Sequence, residues 1–314
     1  MTNTFAPPAR SWHEVLQLLG GSGLGDYLDF VQRFTDPATH PGELALVEQW
    51  RAARAHRQAL QVNQAELASA NDVRTMPAEL QSALKALLAR PEVQAQYSTV
   101  PVAPAMVQID RLLIYQNEID LDKSDAIVAR LGSAPNPMDC FKLAFGRDDT
   151  GPSVDWTLAR ERDDSWEFSS SAHDFRYLGA QLIDPANVSA LATAHPGAVA
   201  AVALVLGHSA NHINAVRHGK RLVLHNGYHR VHALRRLGLS HVPCMVEVLA
   251  DLDEAPQLGA EVLVEQAELF FASARPPLFM DYFNPALTRL HRARLLRRQV
   301  RLTLRHDSLR LMQP

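Results

Sequence analysis

A glycine turn set between two apolar runs dictates a strand that hands over to a helix. Residues 221–249 have that form: RLVLHNGYHRVHALRRLGLSHVPCMVEVL. Arg221 to His225 reads as a short strand. Asn226-Gly227 ends it, because glycine adopts backbone angles that a Cβ forbids. Val231, Ala233, Leu234 and Leu237 then fall mostly at helical spacing, and Gly238 stands where a helix C-cap belongs. Val242 to Leu249 is apolar enough for a buried strand, with Pro243 at its start, where a missing N–H is tolerated. A strand that turns into a helix at glycine leaves backbone N–H groups unpaired at the positive end of the helix dipole. Such an end is a ready anion site. His229 and Arg230 lie in the first turn and bring side-chain donors to the same anion.

The order of strand, NGYHR turn, HALRRLGL helix and VPCMVEV strand resembles the ParB/sulfiredoxin superfamily, whose members hold nucleotide phosphates on a Gly-x-[His/Arg]-Arg turn. Sulfiredoxins place a catalytic Cys directly after the Gly, where this chain has Tyr228. Partition-type ParB proteins have a Glu there and a second Arg in place of His229. The chain is similar instead to the Gly-x-His-Arg form of the sulfiredoxin-like and free-serine-kinase branches. The resemblance implies an α+β fold, a small mixed sheet with helices over residues 99–250. It implies a nucleotide held by His225, Asn226, Gly227, Tyr228, His229 and Arg230, with Mg2+ accompanying ATP or CTP. Upstream, VQIDRLLIY (Val107 to Tyr115) is a strand candidate running into QNEID. By resemblance Gln116 and Glu118 match the positions that face the nucleotide, and Glu118 stands where the kinase branch has the base that activates an acceptor hydroxyl. Phosphoryl transfer asks for such an oriented nucleophile, with charge stabilisation on the phosphates. The competing reading makes Glu118, Asp120, Asp122 and Asp125 a solvated acidic loop that caps a helix at 123–131.

Composition narrows the classes. With 47% hydrophobic and 21% charged residues, 314 positions suffice for a substantial core and two or three domains. A formal net charge of -3 supplies no global basic field to draw in nucleic acid. Cys140 and Cys244 do not make a disulfide framework. Met1 to Arg10 lacks the apolar segment of a secretion signal, and the longest apolar run, Ala198 to Leu206, is too short to span a bilayer. A cytoplasmic location with no membrane partner is the expectation.

Along the chain, Ser11-Trp12-His13-Glu14 has capping-box spacing and predicts a helix from residue 11. GGSGLG, residues 20–25, lacks a following Gly-Lys-Ser/Thr and is read as a connection between helices. Residues 42–98 are strongly helical, with further starts at Asn63 and Pro77, so residues 1–98 form a helical N-terminal region. An insertion is expected at about 132–184, with Trp156 to Arg160 and Trp166 to Ser170 pairing as a hairpin, and His173 and Asp174 in a polar loop. Asp184-Pro185 starts a helix, and Ala198 to Leu206 is apolar all round and expected to be buried. Between 208 and 241 stand seven histidines, but HSANH lacks the Glu of the zinc-protease motif, so packing and solvation are preferred to a metal site. Residues 251–314 form an Arg-rich extension. Nucleic acid would bind through Arg289 to Arg310, but stacking aromatics are missing there, and a terminal amphipathic hairpin or helix is preferred. The leading functional expectation is a nucleotide-binding ATP- or CTP-dependent kinase or nucleotide hydrolase acting on a small-molecule or macromolecular acceptor. A nucleotide-gated binding module and a ParB-like nuclease or DNA-binding protein are the alternatives.

Overall fold

The computed structural model describes residues 12–21, 23–146, 156–162, 165–170, 175–208, 211–294 and 298–304. The fold is α+β. Its strands are β1 (Trp12–Leu18), β2 (Val73–Arg74), β3 (Val102–Gln108), β4 (Glu118–Asp120), β5 (Trp156–Arg162), β6 (Ser165–Ser170) and β7 (Phe175–Ile183). They continue as β8 (Ala201–His208), β9 (Asn214–His218), β10 (Arg221–Asn226), β11 (His241–Leu249), β12 (Thr288–Arg294) and β13 (Arg298–Thr303). The helices are α1 (Leu24–Phe34), α2 (Glu43–Asn63), α3 (Gln81–Leu88), α4 (Pro91–Gln96) and α5 (Leu121–Leu131). After them come α6 (Pro137–Phe145), α7 (Ser189–Ala194), α8 (Tyr228–Arg236) and the short α9 (Val262–Glu265).

The chain divides into two compact units. The larger comprises Arg10–Asp148 and Ala210–Arg294. It holds a five-stranded sheet, order β10-β9-β11-β3-β2, and a three-stranded sheet, order β12-β1-β4. Strand β11 is central: it runs antiparallel to β3 and parallel to β9, and its residues 241–247 are all buried. One core joins this sheet to Leu46, Trp50 and Ala53 of α2, Leu84 and Leu87 of α3, and Phe141 and Phe145 of α6. The predicted helical region of 1–98 therefore shares its core with the sheet. The smaller unit comprises Met1–Ala9, Asp149–Ser209 and Leu295–Pro314, with sheets β13-β6-β5 and β7-β8. Its β5–β6 pairing is the predicted hairpin; the Asp163-Asp164 turn and the loop of His173 and Asp174 lie outside the described residues.

Several expectations are corrected. Residues 12–18 are not a helix but the centre of a sheet, paired with β12 from Trp12↔Arg294 to Leu18↔Thr288 and with β4 at Val15, Leu16 and Gln17. Two long-range ladders outweigh a local capping signal there. A strand, not a helix, therefore precedes the glycines at 20–25, and α1 begins among them at Leu24. The second helix start at Asn63 is instead the last residue of α2, and Glu66 takes a left-handed φ of 68°. The insertion begins later than 132, because α6 buries Cys140, Phe141, Leu143, Ala144 and Phe145 in the larger unit. Residues 201–208 form strand β8, which leaves Val202 and Val205 exposed rather than buried all round. The Arg-rich terminus is not one hairpin: β12 pairs with β1, whereas β13 pairs with β6 of the smaller unit.

Candidate functional site

The NGYHR turn is built as its residues demand. Strand β10 ends at Asn226, and Gly227 takes φ +100°, which L side chains rarely adopt. The space is closed as well: a Cβ on Gly227 would lie 2.8 Å from Ile213 Cγ1 and 3.2 Å from its Cα. Helix α8 starts at once, with no side-chain cap at Gly227, so its first turn presents the positive end of the helix dipole beside the turn. Asn226 Oδ1 accepts from Gly227 N–H at 2.7 Å, and Asn226 Nδ2 donates to Asn211 Oδ1 at 2.9 Å. Asn226, His229 and Arg230 are half-buried.

The upstream segment comes to this turn. The strand predicted over 107–115 is broken by a single turn of 3-10 helix at Ile109–Arg111, because β3 ends at Gln108. Leu113 then bridges Val223 of β10 in parallel, with Leu113 N–H donating to Leu222 O and Leu224 N–H to Leu113 O, each at 2.8 Å. That places Tyr115 beside the turn. Its hydroxyl donates to His225 O at 3.0 Å and lies 3.2 Å from His225 Nδ1, and its N–H donates to Tyr228 Oη at 3.2 Å. Burial pushes the Tyr115 hydroxyl up to about 12.

The predicted site residues divide by environment. Tyr228 is buried in the core, and its hydroxyl donates to Leu224 O at 2.8 Å. Arg230 reaches across to other backbone: Nη1 donates to Leu143 O at 3.3 Å, to Ala144 O at 3.4 Å and to Asn211 O, and Nη2 donates to Asn211 Oδ1 at 2.7 Å. Gln116 folds back so that Nε2 donates to Glu118 O, while its own carbonyl accepts from the Tyr282 hydroxyl. Glu118 stands on β4 opposite Gln17 of β1, not in a loop. Burial raises its carboxyl above the usual range, opposed by a hydrogen bond from Gln17 and by the charge of His13. Its neighbour Asp120 does cap a helix, as the competing reading of the acidic stretch had it: its side chain accepts from Lys123 N–H at 3.2 Å at the start of α5. Asp120 also pairs with His13 Nδ1 at 2.8 Å.

The histidines scatter. His212 stacks on Tyr97 with its Nδ1 3.0 Å from the Tyr97 hydroxyl; His232 packs on Phe283 with its Nδ1 2.8 Å from Ser124 Oγ. Burial lowers both to about 4, which keeps them neutral. Among the described residues no group of three or more His, Cys, Asp or Glu is placed to hold a metal ion. Nor is any described helix long and apolar enough to cross a membrane. Sequence reasoning missed Tyr115 and Asn211 as partners of the turn and Tyr282 as the partner of Gln116 O, and no spacing signal links them.

No family model matches the chain, and neither a curated protein nor a solved structure matches it.

Proposed function

We propose that the larger unit binds a nucleotide, with the phosphates on the uncapped first turn of α8 and with Asn226 and His229 as side-chain donors. The observation that carries this reading is the left-handed Gly227 followed by α8 with no capping side chain, beside half-buried Asn226, His229 and Arg230. The positive end of a helix dipole favours an anion, and an imidazole beside it adds a donor. Arg230 contributes positive charge while its hydrogen bonds hold Asn211 and the end of α6 in place. Tyr228 serves the turn from below, anchoring it to Tyr115. The side chains at the turn are an amide, an imidazole and a guanidinium. They fit an anion rather than a bare cation, so Mg2+ would arrive on the phosphates of ATP or CTP and supply charge neutralisation there.

Whether the bound nucleotide is turned over rests on Glu118, whose carboxyl is raised by burial above its ordinary range, the direction that favours a base over a fully relaxed carboxylate. Under the kinase or hydrolase reading, Glu118→Gln abolishes turnover and leaves nucleotide affinity intact. Under the gated-module reading there is no turnover to lose. The deciding experiment is a thermal-shift panel of ATP, CTP, GTP and their diphosphates with Mg2+. A ligand at about 100 times its Kd stabilises the native state by roughly 2.7 kcal/mol, so the cognate triphosphate raises Tm clearly and His229→Ala weakens the response. If no nucleotide moves Tm, the reading fails.

A further inference from the structure

The segment 211–214 fastens the Gly227 turn from the side of β9. Asn211 Oδ1 accepts from Arg230 Nη2 at 2.7 Å and from Asn226 Nδ2 at 2.9 Å. Ile213 lies against Gly227, and its N–H donates to Ala144 O at 2.8 Å. Asn214 opens β9, paired with Asn226 of β10 on one side and with Met245 of β11 on the other. Its side chain is half satisfied. Nδ2 donates to Glu247 Oε2 at 2.8 Å, whereas Oδ1 is buried and has no hydrogen-bond partner among the described residues. Asn214 is 6% exposed, so water does not serve that acceptor freely, and an unmet buried acceptor is costly.

Glu247 is the complementary case, a buried carboxyl short of a cation. It lies across the sheet between Val102 of β3 and Val216 of β9. Around it stand the Tyr97 hydroxyl at the end of α4 and the Cys244 thiol of β11, each pushed up by burial and then by the charge of Glu247. The charge of Arg230 on α8 opposes both shifts, but its guanidinium is engaged by Asn211 and by carbonyls of α6. His212 lies 3.0 Å from the Tyr97 hydroxyl and, lowered to about 4 by burial, stays neutral. Burial accordingly raises the Glu247 carboxyl, against the hydrogen bond from Asn214. One proton removes both defects: it neutralises the carboxylate and supplies the donor that Asn214 Oδ1 lacks.

We propose that Glu247 and Asn214 form a proton-closed latch that holds the 211–214 segment beside the α8 turn. In the closed state the Glu247 O–H donates to Asn214 Oδ1 while Asn214 Nδ2 donates to Oε2, a two-bond pair of acid and amide. Loss of the proton breaks the first bond and leaves a buried carboxylate, whose hydration requires a local opening. Strand β11 is held along its length by β3 and β9, so the opening takes the first residue of β9, where pairing begins. Asn211 and Ile213 then leave Arg230 and Gly227. The closed state holds a proton that the open state releases, so the latch is shut at low pH and loosens as pH rises. It belongs to the fold whether or not a nucleotide binds, so its failure and the failure of the nucleotide reading are separate results.

The test is amide hydrogen exchange of the full chain, without ligand. It is read at Ile213 N–H, which bonds Ala144 O, and at Met245 N–H, which bonds Ile213 O at 2.9 Å. After correction for intrinsic base catalysis, wild type should lose about tenfold in protection between pH 6 and pH 8, the linkage of one group that titrates near 7. At pH 8 both amides should exchange faster than those of the β3–β11 ladder. In Glu247→Gln the side-chain amide donates to Asn214 Oδ1 at every pH, so protection should be the same at pH 6 and pH 8. A second measurement needs no variant: an NMR titration of the Glu247 carboxyl carbon and of the Asn214 side-chain N–H protons should give one shared midpoint. The proposal is overturned if Glu247 titrates in the ordinary carboxylate range, or if wild-type protection is equal at the two pH values. It is overturned as well if Glu247→Gln keeps the full pH dependence, or if Ile213 is as well protected at pH 8 as the β3–β11 ladder, which marks global unfolding rather than a latch.

Discussion

Glu247 is a buried carboxyl, 4% exposed, whose carboxylate accepts from Asn214 Nδ2 at 2.8 Å. Burial raises its carboxyl to about 7 from an ordinary 4.5. The folded state therefore holds a proton that the unfolded chain has released. The cost is absent below pH 4.5, grows as pH rises, and is complete above pH 7, on the order of 3 kcal/mol. Glu247→Gln keeps an oxygen for Asn214 and removes the charge. Urea unfolding at pH 5 and pH 8 should show little change at the lower pH and a clear gain at the higher. Equal effects at both would mean the carboxylate is solvated after all. At Gly227 the expected effect is opposite in sign. Gly227→Ala must take a left-handed φ and push against Ile213, so it should lose about 2 kcal/mol or more, seen as a lower denaturant midpoint.

Among the elements, β1 has the most consequence for its length. It lies between β12 and β4 in their sheet, and it carries the buried Val15, Gln17 and Leu18. Leu16 faces Leu290 on one side and Ile119 on the other. Leu16→Pro removes a ladder donor from a central strand and should unfold this sheet, at a cost of roughly 3 kcal/mol or more. A urea titration of the variant checks this, and an unchanged denaturant midpoint would mean that β1 is not a paired central strand. Helix α8 is held differently. Its inner face buries Val231, Ala233 and Leu234, and Arg235 pairs bidentately with Asp110 at 2.6 and 3.1 Å. The turn at its N-terminus is thereby anchored at both ends of the helix.

For the whole molecule, the division into two units predicts a separable fold. Ile213 N–H donates to Ala144 O at 2.8 Å, and Arg230 bonds the carbonyls of Leu143, Ala144 and Asn211 together. The points where the chain leaves and re-enters the larger unit are therefore adjacent, and a short linker can join them. Replacing residues 147–210 by a few Gly-Ser residues and ending the chain at Arg294, since β13 would lose its partner β6, should leave one cooperative transition reported by Trp12 and Trp50. A gradual, non-cooperative melt of this shortened chain would show that the larger unit cannot stand alone.

The stretch from β10 to β11 could be read before any coordinates because its signals are local. A left-handed glycine at 227 and an apolar run at 242–249 each constrain the backbone within a few residues. The same holds for α5 and for the β5–β6 hairpin. The three-stranded sheet could not be read in that way, because its stability lies in pairings such as Trp12↔Arg294, which connect opposite ends of the chain. Arg230 makes the point within the candidate site. Its position after Gly-Tyr-His was plain from the order of residues, but its bonds to Leu143, Ala144 and Asn211 exist only once α6 and β9 have packed beside it. Backbone angles are set by neighbours in sequence, whereas partners for a buried charge are set by whatever the folded chain brings within reach.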